Sequence, residues 1–472
     1  MRIFLLLAIA VALRTGTPHL LAAEPKPEHS TPNIVLIMAD DFGYECVTAN
    51  GGESYQTPHL DRLAASGMRF EQCHVQPLCT PTRVQLMTGQ YNVRNYFRFG
   101  TLPRPETTFA HLLKAKGYAT AVCGKWQLGA EKDSPQHFGF DESCLWQQTR
   151  RPPRYANPGL EYNGVEKDFP SGTYGPKLVN DFALDFLSRH KEKPFFLYYP
   201  MILTHDPFQP TPDSADWDPT TDDEKKLKDV KHFADMTAYM DKMVGQVDAK
   251  LDELGIRDNT LLIFLGDNGT HSTITSRFEG EDFRGGKGRT THRGHHVPLI
   301  ASWPAVIKQA RVSTDLISAA DFLPTICAAA RAGVPEVVDG VSFLPQLRGE
   351  IGSPRESIYS WYSPRQRADL SVREFAFDQH YKLYRNGEFF DLTNDPEEAS
   401  PIPLQAAALE GNRAVAAKKL QGVLDRYQDA RPTQLDRKFQ QDVAGSQTPV
   451  KNRKKQRARR DSVGTSIRID EP

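Results

Sequence analysis

Asn33-Ile34-Val35-Leu36-Ile37-Met38-Ala39-Asp40-Asp41 decides the fold. An unbroken apolar run with β-branched residues fits a central strand buried on both faces. This one stops abruptly at two carboxylates. The pattern returns at Thr260-Leu261-Leu262-Ile263-Phe264-Leu265-Gly266, which runs into Asp267-Asn268-Gly269. Two more short strands are predicted at Tyr118–Cys123 and Pro194–Tyr199. Between them lie helical signals: Thr57-Pro58 opens a helix that stops at Gly67, and Met236, Met240, Met243, Val244 and Val247 mark one apolar face from about Phe233 to Leu254. Strands alternating with helices predict an α/β fold, a mostly parallel central sheet sandwiched by helices. In such sheets ligands gather beyond the carboxyl ends of the strands, where Asp40, Asp41, Asp267 and Asn268 fall.

The texture changes after about residue 350. Glu374–Phe377, Tyr381–Tyr384 and Glu388–Leu392 are short strand-like pieces, with Asn386-Gly387 as a hairpin turn between the last two. They predict a small C-terminal antiparallel sheet, followed by a helix near 404–428. The expected organisation is a main domain over 30–350, a C-terminal subdomain over 351–430 and a polar, basic tail over 431–472 that is expected to be disordered. Lys451 to Arg460 holds seven basic residues in ten, a charge block expected to be disordered.

The chain has 472 residues and a formal net charge of −1, with no global bias toward nucleic acid. Residues 1–23 start basic, run apolar from Ile3 to Leu13 and end at Ala22-Ala23, which reads as a secretory signal peptide. No later segment approaches the roughly 20 apolar residues of a membrane span. A secreted or periplasmic location follows, where disulfides among the six cysteines are permitted but their pairing is not readable.

Cys79-Thr80-Pro81-Thr82-Arg83, continued by Val84-Gln85-Leu86-Met87-Thr88-Gly89-Gln90, resembles the core motif of the type I sulfatases of the alkaline phosphatase superfamily. The resemblance extends over about residues 30–400. It implies that Cys79 is oxidised to formylglycine by a dedicated modification enzyme. The hydrated aldehyde is a geminal diol: one hydroxyl attacks sulfur, and the other expels sulfate by restoring the aldehyde. It further implies that Asp40, Asp41, Asp267 and Asn268, with the modified Cys79, hold a divalent cation. An all-oxygen set suits Ca²⁺, with Mg²⁺ as the alternative. Gly124-Lys125-Trp126-Gln127-Leu128-Gly129 and Gly285-Gly286-Lys287-Gly288 resemble the segments carrying two sulfate-binding lysines. His205, following the Pro194–Tyr199 strand, matches the histidine that protonates the leaving alcohol. Arg83 would stabilise the modified residue.

Gln127 stands where many family members have histidine. Glutamine hydrogen-bonds substrate but is no general base near neutral pH. His271, His292, His295 and His296 are candidate substitutes, and the sequence does not choose among them. Lys125, Gln127, His205 and Lys287 form the expected substrate-binding set. The expected substrate is a sulfated glycan or an aryl sulfate. The rivals are a phosphonate or phosphate ester hydrolase on the same scaffold and an unmodified carbohydrate-binding protein. Specificity is expected in the loops near 91–107, 145–175 and 207–230. Gln147-Gln148-Thr149-Arg150-Arg151-Pro152-Pro153-Arg154, between Trp146 and Tyr155, suits a sulfated or carboxylated sugar.

Overall fold

The computed structural model describes residues 31–169, 172–218, 220, 229–405 and 409–446. Its strands, in chain order, are β1 (Asn33–Ala39), β2 (Met68–His74), β3 (Ala119–Gly124), β4 (Glu142–Trp146), β5 (Gly159–Tyr162), β6 (Val165–Asp168), β7 (Phe195–Pro200), β8 (Thr260–Gly266), β9 (Thr275–Phe278), β10 (Glu281–Arg284), β11 (Leu299–Ser302), β12 (Arg311–Ser318), β13 (Ile358–Tyr362), β14 (Arg373–Phe377), β15 (Tyr381–Tyr384) and β16 (Phe389–Asp391).

Ten of them form one sheet in the order β12-β2-β11-β8-β1-β7-β3-β4-β5-β6. The run β8-β1-β7-β3-β4 is parallel. Antiparallel strands flank it: β11 on one side, β5 and β6 on the other. β1 is wholly buried, and its alternation splits between two cores. Ile34, Leu36 and Met38 pack with Phe196, Tyr198, Leu261 and Ile263 on one face. Val35, Ile37 and Ala39 pack with Leu197, Leu262 and Phe264 on the other. A strand with no polar face needs helices on both sides. The first core receives Val84, Leu86 and Met87 from the helix Cys79–Thr88 and Phe322 and Leu323 from Phe322–Ala329. The second receives Leu60 and Leu63 from Pro58–Ser66 and Met236, Met240 and Val244 from His232–Glu253. Each fully buried side chain of this kind contributes about 1.5–3 kcal/mol.

The C-terminal sheet has the order β13-β14-β15-β16 and is antiparallel, with Asn386-Gly387 turning between its last two strands. The helix Gly411–Arg426 packs on it, and Ala416, Leu420 and Leu424 join the main core. The start of the expected tail is instead a helix, Thr433–Ser446. Asp436 pairs with Arg431 at 2.6 Å and with Arg365 at 3.1 Å, and Phe439 is buried under the Arg365 guanidinium. The signal segment 1–23 and the basic run Lys451–Arg460 lie outside the described residues. Among the described residues, no helix is long and apolar enough to cross a membrane. All six cysteines are buried thiols.

β3 ends where it crosses β7. Gly124 takes φ 119°, and a Cβ there would sit 1.9 Å from the Pro200 carbonyl oxygen. The next residue, Lys125, donates its N–H to that same oxygen at 2.8 Å. Gly124→Ala therefore meets both a left-handed backbone and a backbone clash. Urea unfolding should show a loss of about 3 kcal/mol or more, whereas a loss under 1 kcal/mol would mean that the crossing can open.

Candidate active site

The carboxyl ends of β1 and β8 lie side by side, so their terminal residues meet. Asp41 takes φ 60°, which turns the chain back, and its N–H donates to Asp267 Oδ1 at 3.1 Å. Asn268 Nδ2 donates to Asp41 Oδ1 at 2.9 Å. All four side chains are fully buried. Asp40 Oδ1 and Asn268 Oδ1 have no hydrogen-bond partner among the described residues. Burial, and then the neighbouring Asp40, push the Asp267 carboxyl up to about 7. Orphaned buried oxygens on a carboxylate and an amide, beside a carboxyl destabilised as an anion, fit a hard divalent cation held by Asp40, Asp41, Asp267 and Asn268.

Three cations face these acids. Lys125, delivered by the Gly124 crossing, donates Nζ to Asp40 Oδ2 at 2.6 Å. Lys287 donates to Asp41 Oδ2 at 2.6 Å. Arg83 comes from the Cys79–Thr88 helix; its Nη2 pairs with Asp267 Oδ2 at 2.9 Å, and its Nη1 donates to the Lys125 carbonyl. Burial alone raises the Asp41 carboxyl, but Lys287, His205 and Lys125 outweigh it and hold it well below the usual carboxylate range.

Cys79 is the first residue of its helix, so the unpaired amides of the first turn and the positive end of the helix dipole surround it. One ligand-type atom each from Cys79, Asp40 and Asp267 lie within 4.8 Å of one another. Burial pushes the thiol above its ordinary value, so the unmodified side chain is a poor thiolate nucleophile at neutral pH.

His205 follows β7 and completes the ring. Its Nε2 lies 3.1 Å from Lys287 Nζ, and its Nδ1 lies 2.6 Å from the Asp206 carbonyl oxygen. The tautomer that satisfies both donates from Nδ1 and accepts at Nε2. Burial, reinforced by Lys125, pushes the imidazole down to about 4, so it is uncharged in the free chain at neutral pH.

Two participants were not readable in advance. Tyr362 on β13 donates its hydroxyl to the Gly288 carbonyl at 3.2 Å, bracing the loop that carries Lys287. Glu45 is buried, and Thr270, just past Asn268, donates to its carboxyl while accepting from the Gly43 N–H at 3.0 Å. The only prior signal for either was a polar residue of ordinary type.

A family model of the sulfatases matches residues 32–332. The chain belongs to the sulfatase family. A second model, the C-terminal part of N-sulphoglucosamine sulphohydrolase, matches residues 289–422. Arylsulfatase A of Bos taurus is 33% identical over 419 residues, 80% of each chain. N-acetylgalactosamine-6-sulfatase of Canis lupus familiaris is 31% identical over 448 residues, covering 81% of this chain and 83% of the relative. Among solved structures, Ps i-CgsB in complex with k-i-k-neocarrahexaose has a TM-score of 0.69 at 26% identity, over 85% of this chain and 94% of that one. The sulfatase is accordingly a sulfuric ester hydrolase, and its class of reaction is sulfate ester hydrolysis.

Gln127 of this sulfatase adopts φ 58°, and its Oε1 is buried without a partner among the described residues. It lines a crevice beside Lys125. Three of the histidines considered as its substitutes point elsewhere. His292, His295 and His296 gather around His74, with ring centroids 5.3, 5.1 and 5.0 Å from it, beneath Phe375 and Phe377 of β14. His74 Nδ1 and His295 Nδ1 are 3.1 Å apart. His271 hydrogen-bonds Thr273 Oγ1 at 2.9 Å and packs edge-on to Phe208. None of the four touches Lys125, Lys287 or Cys79 in a described contact. The apolar β14 strand, distant in sequence, captures the histidine-rich segment and turns it into packing.

This cluster makes stability depend on pH. His74 and His295 are held well below 6.5, first by burial and then by neighbouring histidines or Lys382. Lys382, buried beside them, is itself pushed down to about 8 by burial, against the pull of Glu398 at 2.7 Å. As pH falls through about 6.5 the unfolded chain takes up protons that these folded residues refuse. Stability present above pH 6.5 is therefore lost below it, at up to about 1.4 kcal/mol per pH unit for each such proton. The melting temperature should fall between pH 7 and pH 5, and His295→Gln should flatten that slope; parallel slopes would show that other groups set it.

Proposed function

We propose that this sulfatase hydrolyses the sulfate esters of glycans or aryl alcohols with formylglycine derived from Cys79 as nucleophile, and with one Ca²⁺ (Mg²⁺ the alternative) held by Asp40, Asp41, Asp267 and Asn268. The observation that carries this reading is the convergence of Cys79 with Asp40 and Asp267 inside 4.8 Å, ringed by Lys125, Lys287 and Arg83. A thiol buried there is poorly placed to ionise, and an aldehyde hydrate in its place carries two hydroxyls, one for attack and one for release. A divalent cation at the carboxylates would polarise the sulfuryl oxygens and offset the acids' mutual repulsion.

The chain's own residues do the rest. Lys125 and Lys287 already point ammonium groups at the carboxylates beside Cys79, and an incoming sulfate oxygen takes a hydrogen bond from each. Such donors act where negative charge develops, and losing one typically costs about 10²–10³ in rate. Arg83, locked between Asp267 and the Lys125 carbonyl, keeps the Cys79 helix in register with both strand ends. The sulfate ester displaces the Lys287–His205 hydrogen bond. That leaves His205 Nε2 as the group in reach of the leaving alcohol oxygen, where it supplies the proton once the bound anion has raised its basicity. The rest of the proposal is a secreted or periplasmic enzyme, matured by loss of residues 1–23 and by a formylglycine-generating enzyme. It acts on a sulfated small molecule or glycan, with no role for nucleic acid and no membrane span.

Mass analysis of the peptide containing Cys79 should show the loss of sulfur that formylglycine requires, and Cys79→Ala should lower turnover of a chromogenic aryl sulfate by about 10³-fold or more while keeping the native melting transition. An unmodified cysteine in an active preparation, or wild-type turnover by Cys79→Ala, would remove the nucleophile assignment.

Elemental analysis of the same preparation should give one calcium or magnesium per chain, lost in Asp267→Ala. Stoichiometric zinc at these positions would instead favour a phosphatase-like centre.

A further inference from the structure

The loop between β4 and β5 carries three arginines, and two of them are engaged. Arg150 donates Nε to Gln147 Oε1 at 2.9 Å and pairs with Glu166 and Asp168. Arg154 lies 4.1 Å over the Trp146 ring, with Nη1 3.4 Å from His205 Nδ1. Their partners are themselves anchored: Trp146 Nε1 donates to the Pro152 carbonyl at 2.8 Å, and Gln147 Nε2 to Asp168 Oδ1 at 2.9 Å. Arg151, held at φ 51° by the same turn, makes no hydrogen bond or ion pair among the described residues. It is exposed, and it lines the crevice that also borders Lys125 and Gln127.

That crevice has a volume of about 60 Å³, with Trp146 and Gln148 also in its wall. On this measure one water needs about 10–15 Å³, so the crevice has room for a few waters or one small anionic group. Its polar atoms are incompletely satisfied. Gln127 Oε1 and Gln148 Oε1 are both buried and lack partners among the described residues. Buried amide oxygens of this kind call for hydroxyl or N–H donors, and an unpaired guanidinium calls for a carboxylate or a sulfate. Lys125 joins the crevice to the catalytic pocket, because the same residue pairs with Asp40. A ligand bridging the two carries a sulfate ester at one end and a second anion flanked by hydroxyls at the other.

We propose that Arg151, Gln127 and Gln148 form a second anion subsite, and that the substrate is an acidic saccharide whose scissile sulfate has a carboxylate or a further sulfate as its neighbour. Arg151 pairs with that anion, and the two amides accept from the adjoining hydroxyls. The inference rests on the sulfatase reading above and names its substrate class: a plain aryl sulfate leaves the crevice empty.

Three monosaccharide or disaccharide sulfates that differ only in the neighbouring substituent (neutral, carboxylate, second sulfate) separate the possibilities. Wild-type kcat/KM should favour at least one acidic form over the neutral form by tenfold or more, and the preferred form identifies the anion. Arg151→Ala should bring that ratio to within about twofold of unity, Arg151→Glu should invert it, and Gln148→Ala should lower it. A wild-type enzyme indifferent to the substituent, or a preference that survives Arg151→Ala, overturns the proposal. A second arm needs no turnover. The acidic sugar lacking its scissile sulfate should bind Cys79→Ala protein in a calorimetric titration and lose at least tenfold in affinity when Arg151→Ala is added. If no sulfate ester is hydrolysed at all, the reaction assignment fails, while this titration still decides the subsite; absence of binding there overturns it.

Discussion

Three carboxylates and three cations are buried at one point, and neither set is tolerable without the other. Asp40, Asp41 and Asp267 are paired one to one with Lys125, Lys287 and Arg83. Removing one member of a buried pair strands the other at a cost of about 3–5 kcal/mol. The formal charges of the six sum to zero, yet Asp267 is pushed up to about 7, so pairwise neutrality does not satisfy the acids locally. A divalent cation at the orphaned oxygens of Asp40 and Asn268 would give the centre a net charge of about +2, which would attract an anionic sulfate ester. Binding site and metal site would then be one electrostatic object, neither complete alone.

The geometry that keeps this object assembled is carried by backbone. Two parallel neighbours, β1 and β8, end level with each other, so four ligand-type side chains meet without any long loop. The Gly124 crossing brings Lys125 under Pro200 at a separation that leaves no space for a Cβ. The loop carrying Lys287 has no regular structure of its own, and it is pinned through the Lys287 N–H to the Thr270 carbonyl at 3.0 Å and the Gly288 N–H to the Pro77 carbonyl at 2.8 Å. Each cation therefore reaches its acid from a different part of the chain, and Arg83 ties two of these approaches together through the Lys125 carbonyl.

Much of this was readable in the residues because burial on both faces leaves a strong mark. An apolar run with no polar face, halted by Asp-Asp or Asp-Asn, announces both the strand and the place where buried acids gather. The Cys79 segment was readable through its resemblance rather than its pattern; its helix is buried all round and has no amphipathic stripe to detect. What stayed hidden was whatever depends on partners far along the chain. His292 and His295 looked available for catalysis until β14 claimed them, and His296 until it stacked on Tyr44. Tyr362 was an ordinary tyrosine until β13 took its place in the small sheet. The helix Thr433–Ser446 was concealed by polar composition, because what orders it is Asp436 and Phe439 meeting Arg365 and Arg431, not its own hydrophobicity.

Cys79 is 2% exposed, and every residue from it to Thr88 is buried. An enzyme that oxidised this cysteine, as proposed, would have to take the segment from Cys79 to Arg83 into its own cleft, and the finished molecule offers nothing to grip. Arg83 alone would have to leave its Asp267 partner and the interior of the protein. Such an oxidation would belong to the nascent or still unfolded chain, so that folding and modification would compete in time and a copy that folded first would keep its thiol. The yield of active enzyme would then follow how long the segment stays open, which is set by the rate of folding and not by the stability of the fold.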